Sequence, residues 1–384
     1  MKVIVLAGIT PSTFFAHVSL ATALRDAGHQ VMVTAAADDV VPAITAAGLA
    51  AVPVLPPGLT RERVTAETGL FPPPPDALER ERWAGGLFAA IESRPLEALV
   101  EFGESWRPDI VIGGMLAYGA PLLAARLDVP YVRQAWDIHD PELFDAGAES
   151  QLREQLERLG LTGLPEPDLL IEVEPPSLRQ PGGRPGQMMR WIPGNAQCRL
   201  EPWMYTKGAA TRVGITVGTA VADYDQYDFV QGIVENVAAL DVETAVAVPG
   251  EAVPTLRERM DGTGVHLGWI PLDVLAPTCD VLVHQSGGST MMTALSFGVP
   301  QVLLPDAGQF RQVDMARRLV EAGAALTLSH EQATTEAIAE KCQEIISDPG
   351  YAAAAAGLAA EIAALPLPSE VVRRIEGLVR RASA

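Results

Sequence analysis

Short apolar runs rich in β-branched residues recur along the chain, and stretches with apolar positions at helical spacing lie between them. Such runs predict parallel strands that are buried on both faces. The helical pattern of residues 17–28 ends at Gly28, and further helices are predicted at 229–240 and 310–322. The alternation predicts an α/β protein. The predicted strands are residues 2–7, 30–36, 109–114, 131–136 and 168–173, then 212–218, 243–250, 264–269, 280–284, 300–305 and 324–328.

Two segments interrupt this alternation. Residues 55–85 contain consecutive prolines at 72–75, which fit neither a helix nor a central strand. We expect a long loop there, either with a binding role or as a variable surface loop without one. Residues 174–207 are rich in Pro and Gly, which is typical of an interdomain linker. The pattern therefore predicts two doubly wound, Rossmann-like domains, with boundaries at 1–205 and 206–365 and a C-terminal helix at 366–384 that packs back on the body.

Length and charge narrow the classes of function. The chain has 384 residues, more than one hydrophobic core usually serves, and a formal net charge of −20. Such a surface repels nucleic acid and anionic lipid, so a phosphate site would have to be built locally from backbone N–H groups. The run at 2–7 passes directly into a turn and is interpreted as a strand rather than a signal peptide, which predicts a cytoplasmic protein. The spacing of Cys198, Cys279 and Cys342 predicts neither a disulfide framework nor a metal site.

The segment HQSGGST at 284–290 follows a predicted strand and begins a predicted helix. Its glycines allow a ligand to approach the backbone, its hydroxyl groups can donate, and a helix N-terminus attracts negative charge. The segment therefore indicates an anion site with His284 at its rim as a further donor, or an ordinary strand-to-helix turn that needs glycine for packing. The Gly-Lys-Ser/Thr sequence of a Walker loop is absent, and the N-terminal turn AGITPST lacks the dinucleotide-binding fingerprint.

The same segment, continued as H-Q-S-G-G-S-T…G-V-P-Q over 284–301, resembles the signature of GT-B nucleotide-sugar glycosyltransferases of the natural-product type. GWIPLDVLAPTCDVLVH (268–284), TVGTAV (216–221), LEPWMY and the N-terminal LAGITPSTFFAHVSLATALRDAGHQV fit as well, so the resemblance covers essentially the whole chain. It is closest to actinobacterial enzymes that attach deoxysugars to aromatic polyketides, such as the C-glycosyltransferase of urdamycin biosynthesis. The resemblance implies two Rossmann-like domains that face each other across a cleft.

The resemblance also implies which residues bind the sugar donor. Trp269 would stack on the base and the Ile270 backbone would read the base edge, although a tryptophan there could equally be a core residue. Gly308 and Gln309 occupy the positions of an Asp-Gln pair that binds sugar hydroxyls in many relatives, and the loss of the carboxylate is consistent with an olivose-like 2,6-dideoxy sugar. The remaining residues would hold the pyrophosphate: Gly218, Thr219, His284, Ser286, Gly287, Gly288, Ser289 and Thr290.

Three residues are candidates for the catalytic base. Many relatives carry a histidine at the position of Thr13, and His17, four residues later, could face the cleft or be an ordinary partly buried histidine. Asp137 directly follows a predicted strand, where strand ends meet the cleft, and the closest relatives have a matching catalytic aspartate. Its alternative role is a helix cap or loop residue. We expect Asp137 to take the proton of a phenol.

A flat, apolar acceptor should contact aromatic and apolar residues near the strand ends of the N-terminal domain, and the candidates are Phe14, Phe71, Trp83, Met115 and Tyr118. The predicted function is an inverting, metal-independent transfer of a deoxysugar from a dTDP donor to an aromatic polyketide, with C-glycosylation favoured. No cofactor, metal, nucleic acid or membrane partner is expected, and a homodimer stays open. The alternatives are O-glycosylation, a non-catalytic binding protein for nucleotide sugars or polyketides, and a nucleotide-sugar epimerase.

Overall fold

The computed structural model describes residues 1–38, 40–55, 66–67, 70, 73–139, 141–179, 186–216, 227–306, 310–329 and 331–382, with Phe310 described for its backbone only. The chain divides into two units. One comprises Met1–Val173, Gln180–Arg190 and Leu365–Ala384, and the other comprises Glu174–Arg179 and Trp191–Ala364.

Seven parallel strands form the sheet of the first unit within its described residues, in the order β3-β2-β1-β4-β5-β6-β7. In the register of the central pair, Val5 lies opposite Ile112. The β1 residues Val3, Ile4, Val5 and Leu6 are at most 2% exposed, which explains their uninterrupted apolar sequence. The strands are β1 (Lys2–Leu6), β2 (Gln30–Ala35), β3 (Ala50–Pro53), β4 (Ile110–Gly114), β5 (Tyr131–Gln134), β6 (Leu169–Glu172) and β7 (Gln187–Met188).

Helices cover the first sheet on both faces, as a doubly wound fold requires. The C-terminal helix belongs to this unit, where it packs against α2 and where Glu376 Oε1 lies 3.0 Å from His29 Nε2. The helices are α1 (Pro11–Phe15), α2 (Val18–Asp26), α3 (Val40–Ala46), α4 (Ala77–Glu92), α5 (Leu96–Trp106), α6 (Gly119–Leu127), α7 (Glu142–Gln151), α8 (Arg153–Arg158) and, at the end of the chain, α17 (Pro368–Ala382).

Six parallel strands form the second sheet within the described part of the chain, in the order β10-β9-β8-β11-β12-β13. They are β8 (Arg212–Thr216), β9 (Glu243–Ala247), β10 (His266–Gly268), β11 (Val281–His284), β12 (Gln301–Leu303) and β13 (Ala325–Thr327). The helices of this unit are α9 (Pro202–Tyr205), α10 (Tyr227–Ala238), α11 (Val253–Arg259), α12 (Leu272–Leu275), α13 (Gly288–Ser296), α14 (Phe310–Glu321), α15 (Thr335–Ser347) and α16 (Pro349–Ala364).

The predicted linker proves to be structured and divided between the two units. Its β7 strand extends the first sheet, whereas residues 191–205, which we had assigned to the N-terminal domain, belong to the second unit. The reason is packing, because Met204 lies in the core of the second unit with Ala245 and Leu275. The predicted boundary at 205 therefore falls too late in the chain.

The predicted loop at 55–85 is also wrong in its last part, because Ala77 begins the long helix α4. Asp76 caps this helix, accepting hydrogen bonds from the N–H groups of Leu78 and Glu79. The helix then packs on α7 at very close range. A Cβ atom on Gly85 would lie 1.9 Å from the Phe144 carbonyl oxygen, so the two backbones touch. A helix with two glycines and no clear apolar stripe owes its stability to this contact.

Within the described residues, no single helix is long and apolar enough to cross a membrane. The pair Pro349–Ala364 and Pro368–Ala382, bent by 41°, meets the length and composition criteria only when its two helices are taken together.

Candidate active site

Each sheet has one point where the strand order reverses, and ligands of open α/β sheets bind beyond the carboxyl ends of the strands at that point. In the first unit the point lies between β1 and β4, and in the second it lies between β8 and β11. The two strand pairs therefore define two crevices, which we call the first crevice and the second crevice.

The first crevice contains a small cavity. Its walls come from the residues that follow β1 and β4, from the start of α2 and from the end of α4. Gly114 lets these groups approach the strand end, since a Cβ atom there would lie 2.6 Å from His17 Nε2 and 2.7 Å from Trp136 Cζ3. The polar and aromatic side chains of the cavity wall are Thr13, His17, Phe88, Glu92 and Trp136.

Thr13 is held by the backbone. Its hydroxyl group lies 2.8 Å from the Ala7 carbonyl oxygen and 2.7 Å from the Thr10 carbonyl oxygen, and it accepts a hydrogen bond from Thr10 N. Thr10 caps α1 and completes the reciprocal pair. These contacts shape the turn after β1 and give the hydroxyl a structural role, so the structure does not support Thr13 as a base.

His17 is more buried than we expected, at 1% exposure, and it precedes α2 rather than lying within it. Its ring contacts Trp136 edge-on, with 6.3 Å between ring centroids. Neither ring nitrogen makes a hydrogen bond of normal geometry with the described residues. Burial lowers the pKa of His17 to about 4, and the nearby Gln134 amide opposes that shift. The imidazole is therefore neutral near pH 7 and lines the cavity.

Glu92 is the other titratable group of the cavity wall, at the last position of α4 and 2% exposed. Burial raises the pKa of its carboxyl group to about 8. Our sequence analysis missed this residue because no motif surrounds it. A signal existed, however, because Glu92 follows the apolar positions Phe88 and Ala89 at helical spacing and so falls on the same helix face.

Asp137 lies in the loop after β5 and is 2% exposed. Its Oδ1 atom accepts a hydrogen bond of 3.0 Å from the His139 N–H group, which closes a tight turn. It is not the cap of α7, since Pro141 occupies that position. Asp137 directly follows Trp136, a wall of the cavity, so the structure brings the loop that carries Asp137 to the first crevice.

A buried pair ties this loop to α4. The Nε2 atom of His139 lies 2.6 Å from Oε1 of Glu81, and their side chains are 5% and 2% exposed. The His139 ring also meets the Phe144 ring edge-on. The segment predicted as a loop thus supplies the helix that holds the loop carrying Asp137.

The predicted acceptor residues divide between core and surface. Phe14, Met115 and Tyr118 are at most 3% exposed and belong to the core, which corrects their assignment as open walls of a binding site. The Tyr118 hydroxyl donates to Asp145. Trp83 is half-buried on α4, where its indole N–H donates to the Leu70 carbonyl oxygen. Phe71 lies outside the described residues.

The loop between β11 and α13, which contains the predicted anion site, lies at the second crevice. The first backbone bond of α13 joins Met291 N to the Gly287 oxygen, so the N–H groups of Gly288, Ser289 and Thr290 have no acceptor within the helix. Ser286 has a left-handed backbone with φ of 59°, and its buried hydroxyl group has no partner among the described residues. Strain of this kind in a non-glycine residue is often found at binding sites.

His284 has a different role from the predicted one. Its Nδ1 atom accepts a hydrogen bond of 3.2 Å from Ser286 N, and its Nε2 atom lies 2.7 Å from Gln301 Oε1. The acceptor role of Nδ1 leaves the proton on Nε2, and burial lowers the pKa of the ring to about 4. The ring therefore directs its N–H group to Gln301 and supports the loop, instead of presenting a donor to an anion.

Trp269 and Ile270 follow the edge strand β10. Trp269 is 37% exposed, and its indole N–H donates to the Ala196 carbonyl oxygen, so it is neither a buried core residue nor fully free. The Ile270 side chain is buried, while its backbone makes no hydrogen bond within the described residues. Four predicted donor-site residues lie outside the described part of the chain: Gly218, Thr219, Gly308 and Gln309.

The chain matches the family of erythromycin biosynthesis protein CIII-like N-terminal domains over residues 22–218. It matches the corresponding C-terminal domain family over residues 231–378. The two matches together span both units.

Individual proteins are similar over nearly their whole length. The chain is 33% identical to the L-demethylnoviosyl transferase of Streptomyces niveus, over 95% of the chain and 94% of that protein. It is 27% identical to the aclacinomycin-T 2-deoxy-L-fucose transferase of Streptomyces galilaeus, over 98% and 96%. The structure resembles that of the glycosyltransferase SsfS6 of Streptomyces sp. SF2575 in complex with thymidine diphosphate. The TM-score is 0.86, with 31% identity and coverage of 98% and 99%.

Proposed function

Because the chain belongs to the family of erythromycin biosynthesis protein CIII-like glycosyltransferases, we propose that it moves a deoxyhexose from a dTDP donor to an aromatic polyketide. The protein is a glycosyltransferase with the GT-B fold, and its relatives include a transferase named for 2-deoxy-L-fucose. The proposal extends this class to a particular donor, acceptor and bond. The reaction is inverting, needs no metal ion and joins carbon to carbon.

The loop of the second crevice carries the proposal. Three backbone N–H groups at the start of α13 lack helical acceptors and point beyond the carboxyl end of β11, where the helix dipole favours negative charge. A chain with a net charge of −20 needs such a local site to hold a diphosphate. Trp269 adds a partly exposed ring, and the free backbone of Ile270 adds hydrogen-bonding groups, for the base.

The acceptor reacts through its phenol. The Asp137 carboxylate takes the hydroxyl proton, and the electron pair of the O–H bond enters the ring. The ring carbon ortho to the phenol oxygen then forms a bond to C1 of the sugar, on the face opposite the diphosphate. The C1–O bond breaks and its electron pair leaves with dTDP. The ring carbon then releases its proton to solvent, and the oxygen takes back the proton held by Asp137, which restores the aromatic phenol. The N-terminus of α13 stabilises the charge that develops on the leaving diphosphate.

Two measurements test this function. Melting in the presence of dTDP, UDP, ADP and NAD reports donor selectivity, because a ligand that binds only the folded state stabilises it by about 2.7 kcal/mol at a hundredfold excess over Kd. We expect the largest rise with dTDP. Turnover of dTDP-deoxysugars with phenolic polyketides should then release dTDP and give a product that resists acid hydrolysis. An acid-labile product would indicate O-glycosylation, and binding without turnover would indicate a non-catalytic binding protein.

A further inference from the structure

The carboxyl group of Glu92 lies in the wall of the first crevice, and the reaction described above does not use it. Glu92 is 2% exposed and ends α4 beside the cavity that it shares with His17 and Trp136. Within the described part of the chain, its side chain makes no hydrogen bond and no ion pair. A buried carboxyl group without a partner is unusual, because burial of an unsatisfied polar group costs free energy.

The surroundings of Glu92 favour its neutral form. None of the described residues in the cavity wall is Lys or Arg, and His17, the other titratable group there, is itself buried. Beyond the helix end, Arg94 forms an ion pair with Glu67, and both side chains are partly exposed. Burial alone accounts for the pKa of about 8. Near pH 7 the group therefore carries a proton that it can donate.

We propose that the protonated carboxyl group of Glu92 donates a hydrogen bond to an oxygen atom of the acceptor and so fixes the acceptor in the first crevice. This inference rests on the proposed function and deepens it, since it names the chemistry that the crevice recognises. The cavity presents one acid proton, one neutral imidazole and aromatic walls from Phe88 and Trp136. The cavity has a volume of about 10 Å³, which is room for one water-sized group, so only a carbonyl or hydroxyl oxygen atom of the acceptor would enter it.

Substitution of Glu92 by an amide (Gln), an alkyl side chain (Leu) and a shorter acid (Asp) distinguishes a hydrogen-bond donor from a base. Glu92→Gln keeps a neutral donor of the same length, and we expect kcat/KM within about threefold of the wild type at pH 7. Glu92→Leu removes the donor and should raise the KM for the acceptor by about 10- to 100-fold. Glu92→Asp should give an intermediate loss because the group is withdrawn from the cavity. If Gln abolishes turnover as Leu does, Glu92 acts as a base and the proposal is wrong. If Leu has no effect on KM, Glu92 does not contact the acceptor.

A measurement without substrate tests the protonation state. The folded protein holds the Glu92 proton up to about pH 8, whereas the unfolded chain releases it near 4.5. The free energy of unfolding therefore falls as pH rises from 4.5 to 8. Glu92→Gln should remove this decline, so that its melting temperature exceeds that of the wild type by several degrees at pH 8 and by less at pH 5. If the melting temperatures of Glu92→Gln and the wild type differed by the same amount at pH 5 and pH 8, the carboxyl group of Glu92 would not be neutral in the folded protein.

Binding of dTDP is the control for folding in each variant, because the donor loop belongs to the other unit. If the Glu92→Leu protein neither melts cooperatively nor binds dTDP, it is misfolded and its KM is not used. The pH dependence of melting of Glu92→Gln then tests whether Glu92 is protonated. Failure of the proposed function is distinct, since a wild type that transfers no sugar would still show the pH-dependent melting assigned to Glu92.

Discussion

The first and second crevices occupy equivalent points of two similar sheets, yet they are built from different groups. The second crevice uses backbone N–H groups at the start of α13, with small side chains that leave them accessible. The first uses side chains, namely His17, Glu92 and Trp136. Backbone groups and a helix dipole suit a diphosphate, whatever sugar it carries, whereas side chains can be exchanged without loss of the strands. Under the proposed function, we therefore expect changes of acceptor to be easier to make in this fold than changes of donor.

The largest expected effect is on kcat, from a variant at the first crevice that leaves dTDP binding at the second crevice unchanged. Asp137→Asn removes the proton acceptor while keeping the size of the side chain and a carbonyl oxygen that can accept from His139. We expect kcat to fall by about 10²- to 10⁴-fold and the Kd for dTDP to stay unchanged. Single-turnover assays and calorimetric titration with dTDP measure the two quantities. A loss of dTDP affinity in proportion to kcat would mean that the variant damages the fold instead.

The next effect concerns the helix that supports the first crevice. Gly85→Ala places a Cβ atom 1.9 Å from the Phe144 carbonyl oxygen, so α4 and α7 must move apart. We expect a loss of about 3 kcal/mol in the unfolding free energy of the first unit. Gly86→Ala is the matched control, because its nearest neighbour would lie 3.5 Å away and alanine favours a helix. Urea unfolding of both variants compares them, and equal stabilities would show that the close packing of α4 on α7 is not needed.

A smaller effect is expected on dTDP binding, from a variant that changes only the second crevice. Ser289→Pro removes one N–H group from the first turn of α13, a region that tolerates proline because the group has no helical acceptor. We expect the Kd for dTDP to rise about tenfold, as for the loss of a hydrogen bond to a charged group. Ser289→Ala, which removes only the hydroxyl, is the control. Calorimetric titration measures both. An unchanged Kd for the proline variant would exclude this N–H group from the donor site.

The smallest effect compares the two buried histidines. His284 is hydrogen-bonded at both ring nitrogens, whereas His17 makes no such bond of normal geometry with the described residues. His284→Leu should therefore cost about 1 to 3 kcal/mol, and His17→Leu should cost less or stabilise the protein. Thermal melting at pH 7 measures the difference, and the opposite order would contradict the assigned hydrogen bonds.

The same variants have a defined pH dependence. Both rings are neutral when folded, with a pKa of about 4 against 6.5 in the unfolded chain. Their contribution to stability is therefore present above pH 6.5 and is lost as pH falls toward 4, because the unfolded chain binds the protons first. Each leucine variant should show a shallower decline of melting temperature between pH 6.5 and 4 than the wild type.

Much of the fold was predictable from local pattern, and the errors have a common cause. Every predicted strand contains a strand of the structure, and the predicted family is confirmed. The predictions omit the strands β3 and β7 and the helix α4, and each of these elements forms against another one; β3, for example, pairs with β2. Helix α4 forms against α7, and β7 forms as an addition to β6. Local sequence carries little of that information.

The candidate site shows the same division. The loop 284–290 was recognisable as a candidate anion site because its small residues lie between a strand and a helix. The roles of His284 and Thr13 were not, since each depends on which acceptor or donor lies within hydrogen-bond distance in the folded chain. Glu92 was missed for the same reason. It is buried beside His17 and Trp136, which are remote from it in the sequence.

The sequence by itself determined where most of the strands run and that they form two parallel sheets, and it marked the loop between β11 and α13 as a candidate anion site. Hydrophobic periodicity and turn residues reflect interactions among residues close in the sequence, so they can be recognised from the sequence alone. Tertiary structure alone decided which polar groups meet and which protons they hold. The proton states of His17, Glu92 and His284 follow from burial among residues far apart in the sequence, and only the folded chain brings those residues together.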